Sequence, residues 1–185
     1  MKIAIISASV RTGRNSHRVA LFFKNYIETN NLASAEILDL HEYQFPIFEE
    51  RLKFQKDPNP KTIEFAEKIK SADGIIIVTP EYNGGYPASL KNVIDLLNDE
   101  WKRKPIAISS VSAGGFGGMQ AITSLQFSLW KLQACTVLAV FPVPKVSEAF
   151  DEQGNPSDKG GTEKRAKSFI DELLWSMDAK NKMEN

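Results

Sequence analysis

Three stretches of this 185-residue chain carry residue types that could do chemistry together. The first, "SASVRTGRNSHRVA" (7 to 20), gathers Ser9, Arg11, Arg14, Asn15, Ser16 and His17 where an apolar run gives way to a helical pattern starting near Ser16. Hydroxyl, guanidinium and amide donors beside the free N–H groups of a helix start suit a phosphate. A plainly capped helix with surface arginines would use the same Ser and Asn types. The stretch has no Gly-Lys-Ser or Gly-Lys-Thr and no Gly-x-Gly-x-x-Gly, so it is neither a Walker A loop nor a dinucleotide fingerprint. A phosphate here would be held largely by side chains, as in a mononucleotide site.

The second stretch, "PEYNGGYP" (80 to 87), sets Pro80, Glu81, Tyr82, Asn83 and Gly84 ahead of a proline suited to a first helical turn. Asn83 and the two glycines tolerate positive φ and let backbone N–H groups approach a flat ring, while Tyr82 and Tyr86 offer aromatic faces or edges. An ordinary turn has the same composition. The third, "SAGGFGGMQA" (112 to 121), places Ser112, Ala113, Gly114 and Gly115 before another helical pattern, whose start favours developing negative charge. Together the stretches outline a phosphate cradle, an amide and aromatic slot and a glycine-rich wall. They require no side-chain nucleophile, and His17 and His41 lack the spacing of a metal cluster.

Positioning these stretches falls to a repeated strand and helix pattern. "KIAIISA" (2 to 8), "GIIIVTP" (74 to 80), "PIAISSV" (105 to 111) and "TVLAVF" (136 to 141) are unbroken apolar runs, as in parallel strands covered on both faces; "SAEILDL" (34 to 40) alternates like an edge strand. Between them lie helical patterns: Val19, Phe22, Phe23, Tyr26 and Ile27 in 16 to 29; Ile63, Ala66 and Ile69 in 60 to 71; Leu90, Ile94 and Leu97 in 87 to 97; and a last helix at about 162 to 177. Five such units in one domain, 1 to 185, predict a doubly wound α/β fold with helices on both faces of a five-stranded parallel sheet. Strand order 2-1-3-4-5 would bring the three stretches to one edge, beyond the carboxyl ends of the strands.

The helix at about 118 to 133 carries Ile122, Leu125, Leu129 and Leu132 on one arc and Phe127, Trp130 and Ala134 on another. A helix apolar on two sides is expected to be buried on two sides. Either a second copy of the chain covers it, as a homodimer or a tetramer of dimers, or the C-terminal helix or a long loop does.

Composition narrows the class further. Lys plus Arg and Asp plus Glu are equal at 23 each, which removes the field expected of a nucleic-acid or membrane-surface binder. The single cysteine, Cys135, excludes an intrachain disulfide; its apolar neighbours predict a buried small hydrophobe. With no signal-peptide pattern and no apolar stretch approaching a membrane span, the expected setting is soluble and cytoplasmic.

"SVRTGRNS" (9 to 16), "PEYNGGYPASLKN" (80 to 92) and "SAGGFGG" (112 to 118) resemble the NADPH-dependent FMN reductases of flavodoxin-like fold, which include azobenzene, chromate and quinone reductases. The resemblance covers nearly the whole chain in order and spacing, and the middle motif is its most specific part. It implies FMN, with its phosphate on Ser9, Arg11, Asn15, Ser16 and His17. The isoalloxazine would lie between Pro80, Glu81, Tyr82, Asn83 and Gly84 on one side and Ser112, Ala113, Gly114 and Gly115 on the other. NADPH or NADH would be co-substrate, a small molecule would accept the electrons, and helix pairing would form the dimer. Two departures are Ala8, where a glycine is common, and the Gly85-Tyr86 pair, where Ser or Thr with an aliphatic residue is more usual. A flavodoxin-like electron carrier is the competing expectation, although carriers usually have a Thr-rich phosphate loop and an acidic surface. A receiver-type regulatory domain would need an acidic cluster after the first strand, and "ISAS" has none.

Overall fold

Each of the five runs read as a strand forms one in the structure, a computed structural model that describes residues 1–184. The elements are β1 (Lys2–Ser7), α1 (Ser16–Thr29), β2 (Ser34–Asp39), α2 (Leu40–Tyr43), α3 (Pro60–Ser71), β3 (Gly74–Pro80), α4 (Ala88–Leu96), β4 (Pro105–Val111), α5 (Met119–Lys131), β5 (Cys135–Val143), α6 (Val146–Ala149) and α7 (Lys159–Glu184). All neighbouring strands pair in parallel, in the order β2-β1-β3-β4-β5. Strand order reverses between β1 and β3, so the loops after β1, β3 and β4 emerge side by side.

Strand alternation sorts the sheet's side chains into two cores. Ala4, Ile6, Ile75, Ile77, Ile106 and Ile108 face α3, α4 and α5, where they meet Phe65, Ile69, Leu90, Ile94, Ile122 and Leu125. Ile3, Ile5, Ile76, Val78 and Ala107 face α1 and α7, meeting Phe22, Phe23, Phe169, Ile170 and Leu173. Covering both faces explains why β1, β3 and β4 read as unbroken apolar runs, since neither alternate set of residues meets water.

Several local expectations are corrected. β5 closes the sheet as an edge strand, so its burial is irregular: Val137 and Phe141 are buried, while Leu138 is 92% exposed. Cys135, at the start of that edge, is exposed instead of buried. In α3, Thr62, Phe65, Ala66 and Ile69 face inward, which turns Ile63 toward solvent. α7 begins and ends beyond its expected bounds, with Ala166, Phe169, Ile170, Leu173 and Met177 as its buried stripe.

The seating of α7 depends on the first residue of β3. A Cβ built on Gly74 would lie 2.6 Å from Met177 Sδ and 3.1 Å from Leu173 Cδ1, and both side chains are fully buried. Gly74→Val is therefore expected to overpack this contact and destabilise the fold by about 1–3 kcal/mol. A lower denaturant midpoint is the expected result, and an unchanged one would show that α7 is free to shift.

Candidate functional site

The loop after β1 is shaped by an acid at the end of β2. Both terminal nitrogens of Arg14 donate to the Asp39 carboxylate, and Arg14 Nη1 also donates to the carbonyl of Ser9, 2.8 Å away. His17 is drawn to the same acid: its Nδ1 lies 3.0 Å from Ser7 Oγ and 3.4 Å from Asp39 Oδ2. Asp39 also accepts from the backbone N–H of His41, so the two histidines, distant in sequence, converge on one carboxylate. Among the described residues no group of three or more His, Cys, Asp and Glu could hold a metal ion.

With Arg14 and His17 engaged, the upper side of the loop keeps Ser9, Arg11, Asn15 and Ser16. Asn15 caps α1 in position only, making no side-chain cap bond, and the first turn contains no acid. The Ser16 hydroxyl is buried and has no hydrogen-bond partner. Leaving a buried hydroxyl unpaired costs roughly 1–3 kcal/mol, which an anionic ligand at this helix start would recover. The Arg11 guanidinium has no partner among the described residues.

The loop after β3 is a tight turn. Tyr82 N donates to Gly85 O at 2.8 Å and Gly85 N to Tyr82 O at 3.1 Å, with Asn83 at φ 52° and Gly84 at φ 79°. Two consecutive left-handed residues in a two-residue turn are the reason for Asn-Gly here. Gly85, which could also take a positive φ, does not. The tyrosines are also occupied: Tyr82 OH is hydrogen bonded to Ser9 Oγ at 2.8 Å, tying this loop to the first, and Tyr86 OH to Ser128 Oγ of α5 at 2.7 Å.

The loop after β4 is less free than its glycines suggest. Gly117 and Gly118 are buried, with φ 67° and 74°, and a Cβ on Gly118 would meet Val111 O at 3.1 Å. Gly114 and Gly115 are exposed and open. The Gly114 carbonyl accepts from Ser112 Oγ and from Lys145 N, which fastens the loop to the end of β5. One N–H at the α5 start is already engaged, because Glu81 Oε2 accepts from Gln120 N at 3.0 Å.

One cavity of about 330 Å³ lies among the loops. Ser9, Arg11, Asn15, Ser16, Pro80, Glu81, Tyr82, Ser112 and Ala113 all line it, and so does Arg14 despite its bond to Asp39. Asn83 and Gly84 stand at the exposed turn tip, Gly114 and Gly115 on the open rim, and His17 beneath the loop; none of these lines the cavity. Sequence reasoning missed Val146 of α6 in the lining, because 142 to 161 carried no helical period. A larger hollow of about 530 Å³ lies behind Val10, walled by Leu40, Phe45 and Ile47, and is mainly apolar. The smaller cavity is thus the one equipped for an anion.

The sequence profile of the NADPH-dependent FMN reductases matches residues 1–148. An NAD(P)H-dependent FMN reductase of Saccharomyces cerevisiae is 34% identical over 139 residues, covering 68% of this chain and 72% of the yeast protein. A quinone reductase of Pseudomonas putida is 29% identical over 178 residues, covering 92% of this chain and 91% of its own. Among solved structures, the flavoenzyme NAD(P)H:(acceptor) oxidoreductase FerB of Paracoccus denitrificans superimposes with a TM-score of 0.76 at 23% identity, covering 96% of this chain and 97% of FerB. That likeness shows the fold.

Burial holds the His17 pKa below its usual value, outweighing the attraction of Asp39 that raises it; Arg14 and His41 lower it further and Glu42 raises it. A depressed histidine pKa leaves stability unaffected above the unfolded value of about 6.5 and lowers it as pH falls below that, since the unfolded chain takes up the proton first. Stability should therefore decline from about pH 6.5 downward, and His17→Gln should flatten that part of the profile. Denaturant midpoints at pH 7.5 and pH 5.5 check this, and parallel losses in both proteins would contradict it.

Proposed function

The chain belongs to the NADPH-dependent FMN reductase family, and on that premise we propose that it reduces a small acceptor, namely a quinone, azo compound, metal ion or free flavin, with FMN seated in the cavity described above. The observation that carries the seating is the buried, unpartnered Ser16 hydroxyl at the open start of α1, beside the unpaired Arg11. Ser9, Arg11, Asn15 and Ser16 would bind the phosphate, with His17 bracing the loop from below instead of touching the ligand. Pro80 to Gly84 and Ser112 to Gly115 would flank the ring. The backbone N–H groups of Asn83, Gly84, Gly114 and Gly115 donate to nothing among the described residues, which supports that placement.

When bound, FMN supplies the hydride chemistry through its N5, with NADPH or NADH as donor. The protein's part is to hold the phosphate, fix the ring plane and present backbone donors at its edges. No side chain is assigned a catalytic role. We read residues 1 to 185 as one FMN-binding domain and its setting as cytoplasmic. Among the described residues no helix is long and apolar enough to cross a membrane.

We further propose a homodimer, or a tetramer built from dimers. Phe127 and Trp130 are 63% and 66% exposed, with ring centroids 5.7 Å apart. α7 packs in the core on the opposite face of the sheet, so it does not cover them. Phe116 and Met119 are exposed as well, where the third loop enters α5. A second copy fits this face, since an exposed aromatic pair of this kind is a liability on a monomer.

Two outcomes are expected. Protein loaded with FMN should be yellow and bleach rapidly when NADPH is added without air. Slow bleaching, or none with either nicotinamide, would favour an electron carrier. In sedimentation at micromolar concentration the wild type should be at least dimeric and Trp130→Glu should dissociate. A wild-type monomer would reject the dimer, and a dimeric variant would place the interface elsewhere.

A further inference from the structure

Glu81 is the only acid among the described residues lining a cavity otherwise suited to an anion. Its backbone N–H donates to Val111 O at 3.2 Å, and its carboxylate reaches across to Gln120 N in the first turn of α5. That helix has no local means of balancing its own start. Its N-cap is Gly118, in the left-handed region and without a side-chain bond, and its first turn contains no acid. An uncapped start acts as a partial positive charge, and Glu81 is the group that offsets it.

We propose that Glu81 sets the redox balance of the site. This inference rests on FMN occupying the cavity. Hydride uptake gives the flavin two electrons and one proton, so the reduced cofactor carries one more negative charge than the oxidised one. A bare α5 start would stabilise that charge, whereas the Glu81 carboxylate cancels the helix end and opposes it. The reduced cofactor is thereby kept a stronger donor toward acceptors. Glu81 acts here as a positioning and electrostatic residue, with no proton or bond of its own transferred.

Two substitutions separate its charge from its tie to α5. Glu81→Gln keeps an oxygen able to accept from Gln120 N but removes the charge. Glu81→Asp keeps the charge but is one methylene too short for the tie. In FMN-loaded protein the midpoint potential should rise in Glu81→Gln, with reduced FMN gaining about tenfold over oxidised FMN, the scale of one charge across a partly solvated pocket. For a two-electron couple that is about 30 mV. Glu81→Asp should stay near the wild-type potential. In cofactor-free protein, exchange of the Gln120 amide hydrogen should quicken in Glu81→Asp and not in Glu81→Gln. An unchanged potential in Glu81→Gln, or equal shifts in both variants, overturns the inference while leaving the cofactor reading intact. A wild-type protein that takes up no FMN overturns the cofactor reading and this inference with it.

Discussion

The ion pair between Arg14 and Asp39 decides where the other groups of the site can go. Both side chains are mostly buried, at 15% and 12% exposure, so loss of either partner would leave a poorly solvated charge without its counter-ion. The pair connects the end of β2 to the loop after β1, and the second bond of Arg14, to the Ser9 carbonyl, curls that loop over the strand ends. Ser9 is then placed to meet Tyr82, which brings in the loop after β3. Glu81, on the same loop, reaches α5. One buried carboxylate thus begins a chain of contacts running across the sheet's carboxyl edge.

The consequence is a cavity whose two ends differ in sign. At the α1 end the helix start is uncapped, Arg11 is unpaired and a buried hydroxyl lacks a partner. On its other side Glu81 lines the cavity, with its carboxylate tied to the start of α5. A ligand with a phosphate at one end and a neutral ring at the other matches this asymmetry. The same division assigns affinity to one helix and control of the ring's charge to the other.

Much of this was legible in the sequence, for identifiable reasons. β1, β3 and β4 are covered on both faces, so their runs are unbroken and their loops can be located from the sequence alone. The Asn83-Gly84 turn follows from a local requirement for left-handed backbone. Less visible were the destinations of long polar side chains. Arg14 and His17 look like phosphate ligands beside Ser16, and only the pairing of β1 with β2 reveals Asp39 beneath them. Glu81 reads in the sequence as one more residue of its loop, and its bond to α5 shows only once that helix is in place. The apolar neighbours of Cys135 suggested burial, but an edge strand leaves residues of such a run in solvent, and Phe127 and Trp130 were distinguishable only as a second arc.

The central claim, that the α1 end of the cavity is a phosphate site, is tested most directly by comparing the affinities of FMN and riboflavin through flavin fluorescence quenching. The two ligands share the ring and the ribityl chain and differ in the phosphate alone. Each charge-assisted hydrogen bond to phosphate contributes about 1.5–3 kcal/mol, so FMN should bind at least roughly ten- to a hundredfold more tightly, and Arg11→Ala should narrow the gap. Equal affinities for FMN and riboflavin in the wild-type protein would contradict the account.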